Sequence, residues 1–414
     1  MNAPSASRLS LLVGAWLAIV ACDSGAAGRS TAAGSGEAGA AVPVEGSAPP
    51  SDLYDPDTLP QIELVLDAAA IAVLSSTEVA SKKTWVHGSF KLGAITFADV
   101  GVRRKGESTF RALPNKASLK VKLDKWVKGQ KVHGLSELTL NSMVNDASCL
   151  RERLAYHVFR SLGLPAQRAN AAHLTVNGQE YGVYANIETP DRQFVARVFG
   201  AKAKTLYEVD SGSEWLPGNE GGFEIDIADP SAPAGSRPDV DLLFQSVQAA
   251  TDPNLLADLD GHLHTTEWLR HSAAEALIGH YDGYAYGIWG SHNYFMAGDT
   301  DGKFSLIPWS TDMTFADPLD PPNAAIPRGA IVLARCKLGA TCWNAYKAEV
   351  QSMLDVYASL DLVNLARKWH DQIDALVKAD AKRESSVDAY TSDTEGLYRW
   401  LATRPSVLAT QLGL

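Results

Sequence analysis

The stretch HYDGYAYGIWGSHNYFMAGDTDGKFSLIPWSTD, His280 to Asp312, holds a helix end, a hairpin and the side chains of Asp282, Asn293 and Asp312 in one run. His280-Tyr281-Asp282-Gly283-Tyr284 closes a helical pattern. Ser291 to Met296 begins a strand, Asp299-Thr300-Asp301-Gly302 is a hairpin turn, and Lys303 to Ile307 is the return strand. Pro308-Trp309-Ser310-Thr311-Asp312 then leaves it. A hairpin brings the residue that opens it close to the residue that follows its end, so Asn293 and Asp312 are predicted neighbours. Asp299 and Asp301 read as turn residues. Asp282, Asn293 and Asp312 remain as two carboxylates and an amide on a loop–hairpin–loop unit.

That order of side chains also serves phosphoryl transfer in protein kinases, where an Asp and an Asn precede a hairpin and a magnesium-binding Asp follows it. The chemistry needs oxygen ligands for a hard cation and a carboxylate near the attacking hydroxyl. Upstream, residues 101–133 run against an otherwise acidic chain. Arg103, Arg104, Lys105, Arg111, Lys116, Lys120, Lys122, Lys125, Lys128 and Lys131 face only Glu107 and Asp124. Two readings of this run stay open. One is a solvated charged surface. The other is a phosphate cradle, with the Gly106-Glu107-Ser108-Thr109 turn beside Lys116, Ser118, Lys120 and Lys122 on one strand face.

Around these segments, strand and helix patterns alternate from about Leu59. Strands are predicted at Ile62 to Leu66, across Trp85 to Val102, and at Ser118 to Leu123. Two more, Ala172 to Val176 and Tyr181 to Ile187, are joined by Asn177-Gly178. A helix is predicted over Asp146 to Leu162, capped by Asp146 and ended by Gly163 and Pro165. Residues 206–238 read as turn-rich and acidic, and helices are predicted around 239–250, 265–281, 342–357 and 361–413. The fold class is α+β, with a mixed sheet in the first half and a mainly helical second half.

The 414 residues are 46% hydrophobic and 21% charged, which gives ample core, and the net charge of −11 argues against phosphate-backbone binding, hence no nucleic acid. Leu9 to Val20 is too short an apolar run to span a bilayer comfortably. With Ala21-Cys22 after it, the run reads as a lipoprotein-type signal peptide over 1–22, lipidated at Cys22. Residues 23–58 are Gly, Ala, Ser and Pro rich and read as a tether; the folded domain is 59–414. The protein is therefore expected to be exported, and to meet the membrane through a lipid anchor only. Gly34 to Gly39 match a dinucleotide fingerprint formally, but no strand precedes them and no helix follows. Cys336 and Cys342 flank a short loop and are predicted to pair, leaving Cys149 as a buried thiol.

The ordered motifs resemble the CotH kinase family, named for spore-coat protein H. They are Arg103 to Thr109, Lys116 to Leu123, Leu138 to Arg151, Gly182 to Glu188, Asp282-Gly283-Tyr284, Asn293-Tyr294 and Pro308 to Asp312. The resemblance runs from about Leu59 to the C-terminus. It implies an atypical, two-lobed, secreted protein kinase using ATP and Mg²⁺ or Mn²⁺ on Ser or Thr of envelope or extracellular proteins. It implies Asp282 as catalytic and Asp312 as metal-binding. With it go these expected roles: Lys116 or Lys120 on the phosphates, supported by Arg103 and Lys105; Glu188 paired with that lysine; Asn293 beside Asp312 on the metal. The family pattern has Arg-x-Arg-Gly where this chain has Lys105, and Pro-Trp-Asp-x-Asp where it has Ser310. A lysine keeps the charge but loses the bidentate fork. Ser310 favours the alternative of a non-catalytic, lipid-anchored pseudokinase or surface-binding protein. His262, His264, Glu267, His271 and Glu275 also suggest a zinc hydrolase, but no His-Glu-x-x-His motif supports it. Gly-x-Ser-x-Gly is absent.

Overall fold

Asn177 and Gly178 take the left-handed backbone that a tight hairpin requires, and they join two long strands of the first sheet. In the computed structural model of the chain the described residues are 53–78, 81–316, 327 and 330–414. The predicted leader, Cys22 and most of the predicted tether lie outside them. Seven strands form a closed barrel: β1 (Gln61–Val65), β2 (Val86–Leu92), β3 (Ile95–Arg104), β4 (Leu119–Lys122), β5 (Glu137–Asn141), β6 (Ala169–Val176) and β7 (Gln179–Glu188). Their order is β1-β2-β3-β4-β5-β7-β6. All neighbours are antiparallel except β1 and β6, which close the ring in parallel. Alternation decides what faces inward: Val100, Val102, Leu119, Val121 and Leu123 fill the barrel with Phe90, Leu140 and Leu174, while Arg103, Lys120 and Lys122 point out.

A second sheet is built from β8 (Ala203–Val209), β9 (Phe223–Ile227), β10 (Tyr294–Asp299) and β11 (Phe304–Pro308), in the order β11-β10-β8-β9. The helices are α1 (Ala68–Ser75), α2 (Arg151–Ser161), α3 (Arg192–Phe199), α4 (Pro238–Ala249), α5 (Leu255–Leu259), α6 (Thr265–Ile278), α7 (Ile331–Leu338), α8 (Ala340–Ser359), α9 (Leu362–Ala379) and α10 (Val387–Leu412). A large core joins α2, α6, α8, α9 and α10 through Phe159, Trp268, Tyr346, Trp369 and Leu397. A smaller one, with Phe194, Leu206, Phe295 and Ile307, lies between α3 and the second sheet. The class is α+β, as read from the sequence.

Three expectations change. The folded domain takes in residues before 59: Leu53 and Tyr54 are buried, Asn186 donates to the Leu53 carbonyl (3.3 Å), and Arg153 donates to the Pro56 carbonyl (2.6 Å). The helix predicted from Asp146 starts at Arg151. Asp146 holds its approach, accepting from the N–H groups of Cys149 (3.1 Å) and Arg151 (2.7 Å). The stretch read as turns contains β8 and β9, whose outward carboxylates hid the strand pattern.

Candidate active site

Helix α6 stops at Gly279, which takes the left-handed conformation of a C-cap. The loop that follows wraps around Glu275. This side chain is fully buried and accepts from the backbone N–H groups of Tyr284 (3.0 Å) and Ala285 (2.6 Å). His271 and His280 flank it at 3.3 and 3.4 Å. Burial alone would raise the Glu275 carboxyl; the two imidazoles outweigh it and hold the group at about 2. Gly283 passes so close that a Cβ there would meet Glu275 Oε1 at 2.6 Å and His280 Nδ1 at 2.4 Å, so only glycine fits. The residues of the zinc reading part company. His271 and Glu275 anchor this loop, and His264 pairs with Asp299 (2.9 Å). Among the described residues no group of three or more His, Cys, Asp or Glu is arranged to hold a metal.

The anchored loop presents Asp282. His292 Nε2 lies 2.5 Å from Asp282 Oδ1, while its Nδ1 donates to the Gly290 carbonyl (2.9 Å). Burial would lower the imidazole's pKa, but the Asp282 carboxylate prevails and raises it. Asn293 donates its amide N–H to the Asp282 carbonyl (2.8 Å) and carboxylate (2.7 Å). The hairpin pairs Tyr294 with Pro308, and Trp309 N–H donates to the Asn293 carbonyl (2.9 Å), so both ends of the predicted unit meet. Asn293 and Ser310 are both left-handed at positive φ, a strain that clusters where a loop is held for function. Asp312 accepts from Asn145 (3.1 Å) and Ser310 (3.3 Å). Its carboxyl is raised to about 6, by burial and by the charges of Asp282 and Asp146 against the opposing pull of Lys105.

Lys105 follows the end of β3 and donates to the Asn141 side chain, whose amide donates to both oxygens of Glu152 (2.8 and 2.9 Å). Glu152 is buried on the first turn of α2. Its carboxyl is pushed up to about 8 by burial and by the neighbouring charge of Asp312. Burial lowers the Lys105 ammonium, while Glu152 and Asp312 pull it up. Arg151, beside Glu152, pairs with Asp146 (2.8 Å), chelates Asp393 of α10 (2.5 and 2.7 Å) and donates to the Thr314 carbonyl (2.8 Å). The far end of the chain thereby fixes the segment after Asp312.

The remaining predicted residues are scattered. Lys120 lies opposite Arg103 in the β3–β4 ladder and pairs with Glu137 (3.1 Å), which Lys122 shares (3.3 Å). Arg103 stacks over Trp85 (5.0 Å). Lys116 does not share the face of Lys120. It precedes β4 in a left-handed conformation, is buried, and pairs with Asp380 after α9. Ser118 turns inward to Ser142 (2.9 Å). Glu188 pairs with neither lysine; it is buried between Arg168 (2.9 Å) and Arg197 (2.6 Å). Glu152, Asn141, Asn145 and His292 were not picked out from the sequence. The one available signal was the family-like run Leu138 to Arg151, which stops one residue short of Glu152. Cys336 and Cys342 form a disulfide joining α7 to α8, and among the described residues Cys149 is a free thiol, raised to about 12 by burial.

The family profile for CotH kinase protein matches residues 102–408. The chain is 22% identical over 303 residues to inner spore coat protein H of Bacillus subtilis, covering 68% of this chain and 80% of that one. It is 39% identical over 80 residues to that organism's inner spore coat protein H-like protein, covering 19% and 24%. With invasin CotH2 of Rhizopus delemar it shares 25% identity over 205 residues, covering 44% and 33%. The crystal structure of the Helicobacter pylori proinflammatory kinase CtkA aligns at 12% identity and a TM-score of 0.29, over 67% of this chain and 90% of that one. A match across residues 102–408, well over half of the chain, establishes that this protein belongs to the CotH kinase family.

Proposed function

We propose that this chain is a protein kinase that transfers the γ-phosphate of ATP to Ser or Thr hydroxyls with Mg²⁺ or Mn²⁺. The observation that carries the reading is the relay Lys105–Asn141–Glu152 beside Asp312. A lysine just past a strand end, steadied through Asn141 by a helix glutamate and next to an acidic loop, is what phosphoryl transfer asks of a protein whose task is positioning and charge. The helix partner is Glu152 rather than Glu188. In this reading the barrel forms the nucleotide lobe and the helical core the other. Lys105 meets the phosphates, and Arg103 and Lys120 extend the basic face.

The donor set suits a hard cation. Asp312 offers a carboxylate, and Asn293 commits its amide nitrogen to Asp282, leaving its oxygen as the ligating atom. The raised Asp312 carboxyl reports negative charge short of compensation, which a divalent cation would relieve. When bound, the cation would offset phosphate charge and hold the phosphates in line. Asp282 orients the substrate hydroxyl and accepts its proton at a carboxylate oxygen, while His292 and Asn293 keep the carboxylate in place. Glu275 and Gly283 fix the backbone that presents it.

The protein acts after export, held to the membrane by lipid on Cys22, on protein substrates of the envelope or beyond. The apolar run ending in Ala21-Cys22 supports this, and a Cys336–Cys342 disulfide suits an oxidising compartment. Labelled palmitate should mark the wild type and not Cys22→Ser. The test of activity is labelled ATP, Mg²⁺ or Mn²⁺, and an envelope extract, with phosphoserine or phosphothreonine as the readout. Ser310, where the family has Asp, favours a second reading, a nucleotide-binding pseudokinase. Metal-dependent ATP binding without transfer would establish it.

A further inference from the structure

The loop between β4 and β5 carries Trp126 and Val127 side by side, 38% and 47% exposed, between Lys125, Lys128 and Lys131. Within 124–131 three lysines face one acid, Asp124, on a chain whose net charge is −11. The two nearest acids are already engaged: Asp124 with Lys122 (3.7 Å) and Asp99 with His87 (2.7 Å). Lys128 and Lys131 form no ion pair among the described residues.

The tip is built rather than frayed. The Trp126 ring stacks on His87 with centroids 4.2 Å apart. Lys125 Nζ sits 5.2 Å from the Trp85 ring and 5.5 Å from that of Trp126, and Arg103 covers Trp85. Gly101 leaves room for this: a Cβ there would lie 2.7 Å from the Lys125 stem. Gln130 pins the base of the loop, donating to the carbonyls of Asp99 (2.8 Å) and Leu123 (2.7 Å). An exposed tryptophan and aliphatic residue, held rigidly inside a ring of lysines, suit a surface of phosphates over hydrocarbon.

We propose that the 124–131 loop docks this protein on an anionic phospholipid bilayer, with Trp126 and Val127 at the headgroup–acyl boundary and Lys125, Lys128 and Lys131 on lipid phosphates. The contact does not depend on the transferase reading, and it places a second attachment on the folded domain itself.

The test uses the full chain carrying Cys22→Ser, so that lipidation plays no part, and sediments it with phosphatidylglycerol-containing or pure phosphatidylcholine vesicles. Phosphatidylglycerol should strengthen binding, and salt should weaken it. Each Lys→Gln at 125, 128 or 131 should weaken it by roughly fivefold. Trp126→Ala should weaken it on both vesicles. Trp126→Phe should keep binding yet lose part of the quenching by brominated lipid. Unchanged thermal melting would show that each variant is folded. If Trp126→Ala and the triple lysine variant bind as the parent does, membrane contact lies elsewhere and the proposal fails. It fails equally if the loop variants lose retention on an acidic glycan or a protein while vesicle binding is untouched.

Discussion

Two buried glutamates sit at the rim of the same barrel and answer to opposite demands. Glu188, at the end of β7, lies between the guanidinium groups of Arg168 and Arg197. Burial works against its charge, but the two arginines overcome it and lower the carboxyl. Glu152, on the first turn of α2, has an amide, a half-buried lysine and a competing carboxylate, and its pKa rises to about 8. A carboxylate saturated by cations holds structure together. One left short of them stands ready to share a cation that arrives with a ligand.

The largest expected effect breaks the ready side. Asp312→Asn should abolish metal-dependent nucleotide binding. Asp282→Asn should keep binding but slow transfer by about 10³-fold, roughly 4 kcal/mol of barrier, in single-turnover assays. Full transfer by Asp312→Asn would remove the cation from that loop. Next comes the saturated side. Glu188→Gln strands two guanidinium groups and should lower unfolding stability by about 2–3 kcal/mol in urea melts. Glu152→Gln should cost under about 1 kcal/mol while reducing transfer; equal losses of stability would erase the distinction.

A smaller effect is set by pH. The Asp312 carboxyl titrates near 6 in the metal-free fold, above the unfolded value of about 3.9. Its stabilising contribution is therefore present at low pH and lost as pH rises through about 6. Without metal, Asp312→Asn and wild type should melt alike at pH 4. By pH 7 the variant should be the more stable by about 3 kcal/mol, and Mg²⁺ or Mn²⁺ should reverse the order. The smallest effect concerns Ser310. Because its backbone is already left-handed, which Asp tolerates, Ser310→Asp should leave melting within about 0.5 kcal/mol. In the kinase reading it should raise transfer severalfold; an inactive parent turned active by it would establish the pseudokinase reading instead.

What the sequence revealed was local. Asn177-Gly178 and the Asp299–Gly302 turn announce their hairpins by turn chemistry alone, and the second hairpin sets Asn293 against Trp309, three residues before Asp312. Glu152 was invisible because a glutamate in the first turn of a helix is commonplace; only packing of α2 against the Asp312 loop gives it meaning. Glu188 drew attention for its motif, but its partners are Arg168 and Arg197, which no pattern links to it. Lys116 shares the spacing of a strand face with Lys120, but a left-handed turn at Lys116 interrupts that face. Asp393 lies 242 residues from its partner Arg151, beyond any periodicity.

The order of the second sheet bears on how the protein behaves when crowded. The barrel closes on itself, but this sheet ends at β11 and β9. At β11, residues 262–264 exchange backbone hydrogen bonds with Phe304 (3.0 and 3.1 Å), pairing the first residue of that border. At β9 the outward Glu224 sets like charge against any second copy approaching in register, beside Asp226, whose carboxyl burial and the neighbouring acids raise to about 7. Unpaired strand borders invite templated aggregation, and inserted carboxylates are a known guard against it. The acidity that disguised β9 as a turn thus helps to keep concentrated protein in solution.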